Sequence, residues 1–494
     1  MISDYYKYRV LEIFPGFLVW STLIAMFVLS FVKPLWMIYF IIVFDFYWLM
    51  RILYLLLYLF ISFYRYKKSL KTDWLKKCEE IPEWKNMYHL IFLPICGEPY
   101  EIVESTFESL LKSDFPHKNM IIVFAAEERD RKSSSEIAEK IREKYGHKFK
   151  KLIVTYHPDN LPGEVKGKGA NINFAGKVSK KYIDEENIIY QNVIVSSFDI
   201  DTCVHPMYFS YLTYQYLNHP NPTHVSFQPI PLFNNNIWDS PAFMRIASMG
   251  TTFWLMTEQL RPERLFTFSS HSMSFKTLVD VGFWQPDIVT EDSRIFLQCF
   301  LHYNGDYQTH PMYIPVSMDT VMGANWKSSL SNLYKQQRRW AFGVEHFPYM
   351  IWHFAHNKKI SWVKKIRYIL NLGEGFYSWA TAPIIIFVLG RLPLMVASGE
   401  IDNLVVVQNT PYVLQFLMSA AMIGLIVSAV LSFLLLPPPP KKGRKFKIIT
   451  IFFQWLLFPI SMIVFGSIPA IDAQTRLMLG KYLGFHVTEK ARKK

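Results

Sequence analysis

The chain has 494 residues, 51% apolar, 17% aromatic and 19% charged, with a formal net charge of +13. It is too apolar for an ordinary soluble protein and too charged to lie in lipid throughout, so a soluble domain flanked by spanning segments is expected. The positive charge does not point to nucleic acid. Clusters such as YRYKKSLK (64–71), KKGRK (441–445) and EKARKK (489–494) abut apolar runs, as the flanks of spanning helices do.

Apolar windows at roughly 12–32 and 35–63 are each long enough to cross a bilayer. The first lacks a small-residue cleavage site and a second follows at once, so neither is a removable signal. With Lys7 and Arg9 inside, the two helices of 1–66 return the chain to the cytosol. Over 67–325 the periodicity changes. Short apolar runs, HLIFLPIC, NMIIVFAA, KLIVTYH, NVIVSSFD and HVSFQPI, alternate with helical stretches such as 99–112 and 132–145. That alternation predicts an α/β domain with a mostly parallel sheet and helices on both faces, with ligands beyond the carboxyl ends of the strands.

Amphipathic interface helices are expected over 326–360, a spanning region over 361–470 and a cytosolic tail over 471–494. The later windows are 368–392, 411–436 and 446–468, and the loop 393–410 has no Lys or Arg, as suits an external loop. Five plain spans would put the basic C-terminus outside, so either the Pro459 segment is re-entrant or one window is miscounted. Cys78, Cys96, Cys203 and Cys299 are widely spaced, which fits reduced cytosolic thiols and neither a zinc site nor a disulfide frame.

Four stretches carry chemistry. In SSFDIDTCVHP, Asp199 and Asp201 alternate by two, so an extended backbone points both the same way. Such a pair either sits in a solvated acidic turn or shares Mg2+ or Mn2+ with a diphosphate. In GKGANINFAG, Lys168 opens a helix-like run that is either a flexible basic loop or a place where an ammonium and backbone amides meet a phosphate. In PDIVTEDSRIF, Glu291 and Asp292 are either dipole-favouring acids of a helix start or a general base near a hydroxyl. In YKQQRRWAFGVEHF, Gln336, Arg339 and Trp340 share a helix face. A guanidinium fork suits a diphosphate and an indole suits a sugar ring, whereas the plainer reading is a helix at the headgroups.

In order, LPICGEP, KGANIN, DID, QPIPLF, TED and QQRRW resemble family 2 glycosyltransferases of the processive membrane type, the group of cellulose, hyaluronan, chitin and poly-N-acetylglucosamine synthases. FHVTEK is similar to the FxVTxK gating loop of cellulose synthases. The resemblance implies a GT-A-like, Rossmann-like α/β domain inserted between transmembrane helices, working at the cytosolic face of the plasma membrane. It implies that Asp199 and Asp201 hold the nucleotide and a Mg2+ or Mn2+ ion, and that Lys168 meets the diphosphate. Asp292 would be the base, Arg339 would neutralise the leaving nucleoside diphosphate, and Gln336, Trp340 and Glu291 would hold the acceptor. Glu98 joins the nucleotide-sugar site, and Phe485, Val487, Thr488 and Lys490 form the closing loop.

The implied partners are a nucleotide-sugar donor (UDP by family majority), a glycan or lipid-linked acceptor and membrane lipid, with no nucleic acid. A processive enzyme would thread its glycan past residues such as Asn371 and Glu374. The rivals are a single-addition enzyme acting on a lipid and an inactive export component. The sequence departs from the pattern in three places. FAAEERD puts Glu127 or Glu128 where an aspartate pair is usual, TFSSHSMSF puts His271 in the acceptor segment, and the chain ends four residues after FHVTEK.

Overall fold

The computed structural model describes residues 2–397, 401, 403–441 and 444–484, so Phe485, Val487, Thr488 and Lys490 lie outside the described residues. Among those described, one sheet carries eight strands: β1 Tyr88–Ile95, β2 Met120–Glu127, β3 Lys151–His157, β4 Val193–Ser197, β5 Cys203–Val204, β6 Val225–Leu232, β7 Ser272–Ser274 and β8 Gln308–Ser317. Their order is β3-β2-β1-β4-β7-β6-β8-β5. β1 runs parallel to β2 and β4, β2 to β3 and β6 to β8, while β7 is antiparallel to both β4 and β6. The five apolar runs are β1 to β4 and β6. Every residue of β2, β4 and β6 is buried, as expected of strands covered on both faces. Helices Tyr100–Leu111 and Arg131–Tyr145 fall where the periodicity placed them.

Separate apolar clusters fill the domain. One gathers Phe107, Phe124 and Phe198, the other Phe92, Trp284 and Phe296. Outside the sheet, helices Ile2–Val32, Pro34–Ser69 and Val405–Leu435 are long and apolar enough to cross a membrane, and so is the run Lys447–Met478. Trp362–Phe387 and Leu389–Val396 form a further pair bent by 47°. Met26, Met37, Ile41, Ile385 and Leu414 make an apolar cluster that includes no sheet-domain residue. It joins helices Ile2–Val32, Pro34–Ser69, Trp362–Phe387 and Val405–Leu435.

The last apolar run behaves differently. Arg245 Nε donates to Gln454 Oε1 at 2.7 Å, Trp455 stacks on Phe253 at 6.0 Å and Phe465 meets Phe243 at 5.4 Å. Arg338 reaches Asp472 at 2.9 Å, and Arg9 Nη2 donates to the Met478 carbonyl at 3.1 Å. The run therefore meets the domain at Gln454 and Phe465 and the helices Ile2–Val32 and Trp362–Phe387 from Ser467 onward. A π-helical stretch, Met462–Ser467, and Pro459 and Pro469 interrupt its regular winding.

Candidate active site

Neighbours are added on opposite sides of β1, with β2 and β3 on one flank and β4 on the other, so the loops after β1 and β4 part to form a crevice. Lys168 is the first residue of helix Lys168–Glu185 and is 8% exposed. Its Nζ donates to Asp199 Oδ1 at 2.8 Å and to both Asp292 oxygens at 3.0 and 2.9 Å. Burial alone would lower the pKa of this amine, but the charges of Asp199, Asp292 and Glu291 outweigh it and hold it above the ordinary lysine value.

The extended arrangement expected of Asp199 and Asp201 does not hold. β4 ends at Ser197, and the pair lies in a turn closed by the Thr202 N–H donating to the Asp199 carbonyl at 2.9 Å. The turn gives the carboxylates unlike surroundings, since the Asp199 side chain is 29% exposed and Asp201 is 0% exposed. Three groups fix it. The Thr106 hydroxyl donates to the Ile200 carbonyl at 2.5 Å, Asn235 Nδ2 to the Asp201 carbonyl at 3.0 Å and the Asp319 N–H to Asp201 Oδ2 at 2.8 Å. Asn235 and Asp319 were missed in the sequence because each becomes relevant only through the order of β6 and β8 in the sheet. Among the described residues no group of three or more His, Cys, Asp or Glu side chains could hold a metal. Two hard carboxylates nonetheless suit Mg2+ or Mn2+, which commonly takes its other ligands from phosphate and water.

Glu291 and Asp292 form the first turn of helix Glu291–His302. Glu291 is 3% exposed, and burial, followed by the charge of Asp292, raises its pKa, with Lys168 and Arg339 opposing. The Thr290 hydroxyl donates to Glu345. Arg294 Nε donates to His346 Nδ1 at 3.0 Å, and His346 Nε2 lies 2.8 Å from Ser293 Oγ. A guanidinium can only donate, so His346 is neutral and its Nε2–H points at Ser293. Glu345 and His346 stand in the VEHF end of a stretch that the sequence reading used only for Gln336, Arg339 and Trp340. An acid and a histidine directly after an apolar turn were the available signal.

His271 is 1% exposed. Its Nδ1 lies 3.0 Å from the Phe268 carbonyl and 3.7 Å from Asp292 Oδ1, and Trp284 Nε1 donates to its Nε2 at 3.4 Å. Gln336, Arg339 and Trp340 are half-buried on helix Trp326–Ala341, which an Asn325/Ser328 capping box starts. The Trp340 ring is 6.2 Å from Phe233, at the end of QPIPLF. Arg338 instead joins Asp472, which also accepts from Tyr334 at 3.0 Å and Arg476 at 2.7 Å.

Glu98 lies in the loop after β1, and Glu127 is the last residue of β2. Glu98 Oε2 accepts from the Cys96 N–H at 2.7 Å and shapes the loop. Glu127 is 5% exposed and 2.7 Å from Arg129 Nε, whereas Glu128 pairs with Arg131 at 2.9 Å. Both border a cavity of about 270 Å³ with His157, Asp159 and Lys166.

Residues 194–466 match the family model described as Glycosyl transferase family group 2. Similar solved structures include a mannosyltransferase from Pyrobaculum calidifontis in complex with GDP-Man and Mn2+, at 13% identity over 78% of this chain and 99% of that one, with a TM-score of 0.44. Another is S. aureus TarS 1–349 in complex with UDP-GlcNAc, at 12% identity over 75% of this chain and 91% of that one, with a TM-score of 0.36. No curated protein matches the chain.

Proposed function

The chain belongs to glycosyl transferase family group 2, and from that premise we propose an inverting transferase that moves a sugar from a nucleotide-sugar donor, a UDP-sugar, to a growing polysaccharide at the cytosolic face of the plasma membrane. Its mixed, mostly parallel sheet is the GT-A-like fold of such an enzyme. The observation that carries the reading is the contact of Lys168 with both Asp199 and Asp292. It joins the residue assigned to the donor with the residue assigned to the acceptor.

Asp292 takes the acceptor hydroxyl's proton as that oxygen attacks the anomeric carbon, and the bond from that carbon to the diphosphate breaks. Lys168 and Arg339 neutralise the departing nucleoside diphosphate. Mg2+ or Mn2+ held by Asp199 and Asp201 would supply further neutralisation at the diphosphate. Glu98 and Glu127 serve the nucleotide, while Gln336, Trp340 and Glu291 hold the acceptor. Burial keeps Glu291 readily protonated and able to donate a hydrogen bond. Phe485, Val487, Thr488 and Lys490 would close over the donor.

A lipid-linked acceptor is the second reading. Glu374 pairs with Arg51, and Asn371 Nδ2 donates to the Arg264 carbonyl at 3.2 Å, which engages the two polar side chains expected to face a threading glycan. The test is nucleoside diphosphate release in nanodiscs with Mn2+ and UDP-N-acetylglucosamine, UDP-glucose or GDP-mannose, followed by sizing of the product. A ladder of long products supports the polysaccharide, and one sugar on a lipid supports the second reading. Asp292→Asn is expected to cut turnover about 10²- to 10⁴-fold while donor binding persists. Full turnover in that variant would overturn the assignment of the base.

A further inference from the structure

We propose that His271 is the positioning residue of the base, its Nδ1–H steering the Asp292 carboxylate once Lys168 turns to the donor diphosphate. The inference rests on Asp292 being the base, as argued above.

The protonation of His271 follows from its partners. A carbonyl only accepts, so the 3.0 Å contact with Phe268 requires a proton on Nδ1. An indole only donates, so Trp284 requires a lone pair on Nε2. The ring is therefore neutral, with both nitrogens committed, and it cannot itself take the acceptor's proton. Burial reinforces this by lowering its pKa. What it offers Asp292 is a share of that fixed, uncharged Nδ1–H, in a three-centre hydrogen bond with the Phe268 carbonyl.

The ring is also held in place. Its backbone carbonyl accepts from the Ser197 N–H at 3.0 Å, at the very end of β4, and the next residue begins β7. Ser270 before it has φ +69, a conformation that only a tightly determined segment imposes on serine. Trp284 is 0% exposed and packs against Phe92 at 5.3 Å. The imidazole thus has little freedom to follow Asp292, whereas Asp292 can move to it.

At 3.7 Å, Nδ1 faces Asp292 Oδ1 beyond hydrogen-bond length while Lys168 holds both oxygens. A bound diphosphate competes for the Lys168 ammonium, and Asp292 then loses the one group that holds both its oxygens. A movement of about 1 Å brings it within hydrogen-bond reach of His271. A neutral donor orients a carboxylate without neutralising its charge. Asp292 would thus be held in line for the acceptor.

The test uses the full chain in nanodiscs with Mn2+ and the donor that wild type turns over from the same three nucleotide sugars. His271→Leu removes the N–H and keeps the bulk. It is expected to lower kcat about 10- to 100-fold, as loss of an orienting partner does, with donor KM within about twofold. His271→Asn carries an amide that reaches the place of Nδ1, and should recover most of the loss. His271→Gln reaches the place of Nε2 and should not. Unchanged kcat in His271→Leu, or equal losses in the Asn and Gln variants, overturns the inference, and the Asn–Gln comparison still decides if the Leu variant fails to fold. Asp292→Asn, measured alongside, separates the two failures. If it is inactive while the His271 series is flat, only the positioning role is lost. If it is fully active, the reading of the base fails first.

Discussion

At the scale of single residues, Lys168 explains why acids distant in sequence tolerate one another. Its ammonium is 8% exposed and stands between carboxylates that are 29% and 21% exposed. Removing one partner of a buried ion pair leaves the other charges unsatisfied. Lys168→Met should therefore destabilise the protein by roughly 3 kcal/mol, the low end for buried pairs because both carboxylates retain some solvent. Adding Asp292→Asn should restore part of the thermal midpoint, and no restoration would mean that the two residues do not interact. Lys168, Asp199 and Asp292 were all legible from their places after apolar strands or at helix starts. Their contact was not, because it depends on sheet order. The Asp199/Asp201 geometry was misread because period-two alternation holds only while the backbone stays extended, and here the strand stops at Ser197.

At the scale of elements, the site depends on how closely helix Lys168–Glu185 meets its neighbours, and two glycines set that approach. A Cβ at Gly169 would lie 2.9 Å from the Gln285 carbonyl oxygen and 3.1 Å from Glu291 Cβ, and one at Gly176 would lie 2.5 Å from the Phe283 ring. Phe283 cannot retreat easily, since it is 6% exposed and has φ +69. Both alanine variants should lose about 1–3 kcal/mol of stability through overpacking, read as lower thermal midpoints. Gly169→Ala alone should also depress turnover in the protein that remains folded, because it displaces the turn carrying Glu291 and Asp292. Equal turnover in the two variants would argue that the acid helix tolerates the shift. β1, β2, β4 and β6 were readable because burial on both faces leaves a continuous apolar run, whereas edge strand β3 alternates buried with half-exposed positions. β7 is the tripeptide SMS, held by pairing with β4 and β6 and not by its own preference. β8 contains Pro311 and Pro315, which read as strand breakers, yet it pairs with β6 around an irregularity between Gln228 and Ile230.

At the scale of the whole molecule, the last apolar run joins the domain to the spanning helices: Gln454 and Phe465 meet Arg245 and Phe243, while Ser467, Thr475 and Met478 meet Trp379, Trp20 and Arg9. Hydropathy measures only what a segment can bury, and this run is long and apolar enough to cross a membrane while also touching the domain. The same compactness leaves several histidines without water, and this makes stability depend on acid. His89 is 0% exposed, with Nε2 2.9 Å from Thr213 Oγ1, and burial pushes its pKa down to about 3. His310 is lowered to about 4 by burial and by His219, while burial also lowers His271 and, with Arg294, His346. A histidine depressed in the folded state contributes stability that is complete above the unfolded value of ~6.5 and is lost as pH falls toward the folded value. Each contributes up to ~1.4 kcal/mol per pH unit in that window. Glu291 and Glu345, both raised by burial, act in the opposite sense, because a raised carboxyl favours the folded state as pH falls toward ~4.3. His89 alone, with its folded value near 3, gives a loss of about 1 kcal/mol between pH 6.5 and 5.5. The wild-type thermal midpoint in nanodiscs carries this loss over that unit. His89→Gln, compared with itself across the same range, should fall less steeply than wild type. Equal slopes in His89→Gln and wild type would mean that this ring takes up a proton in the folded protein, contrary to its burial.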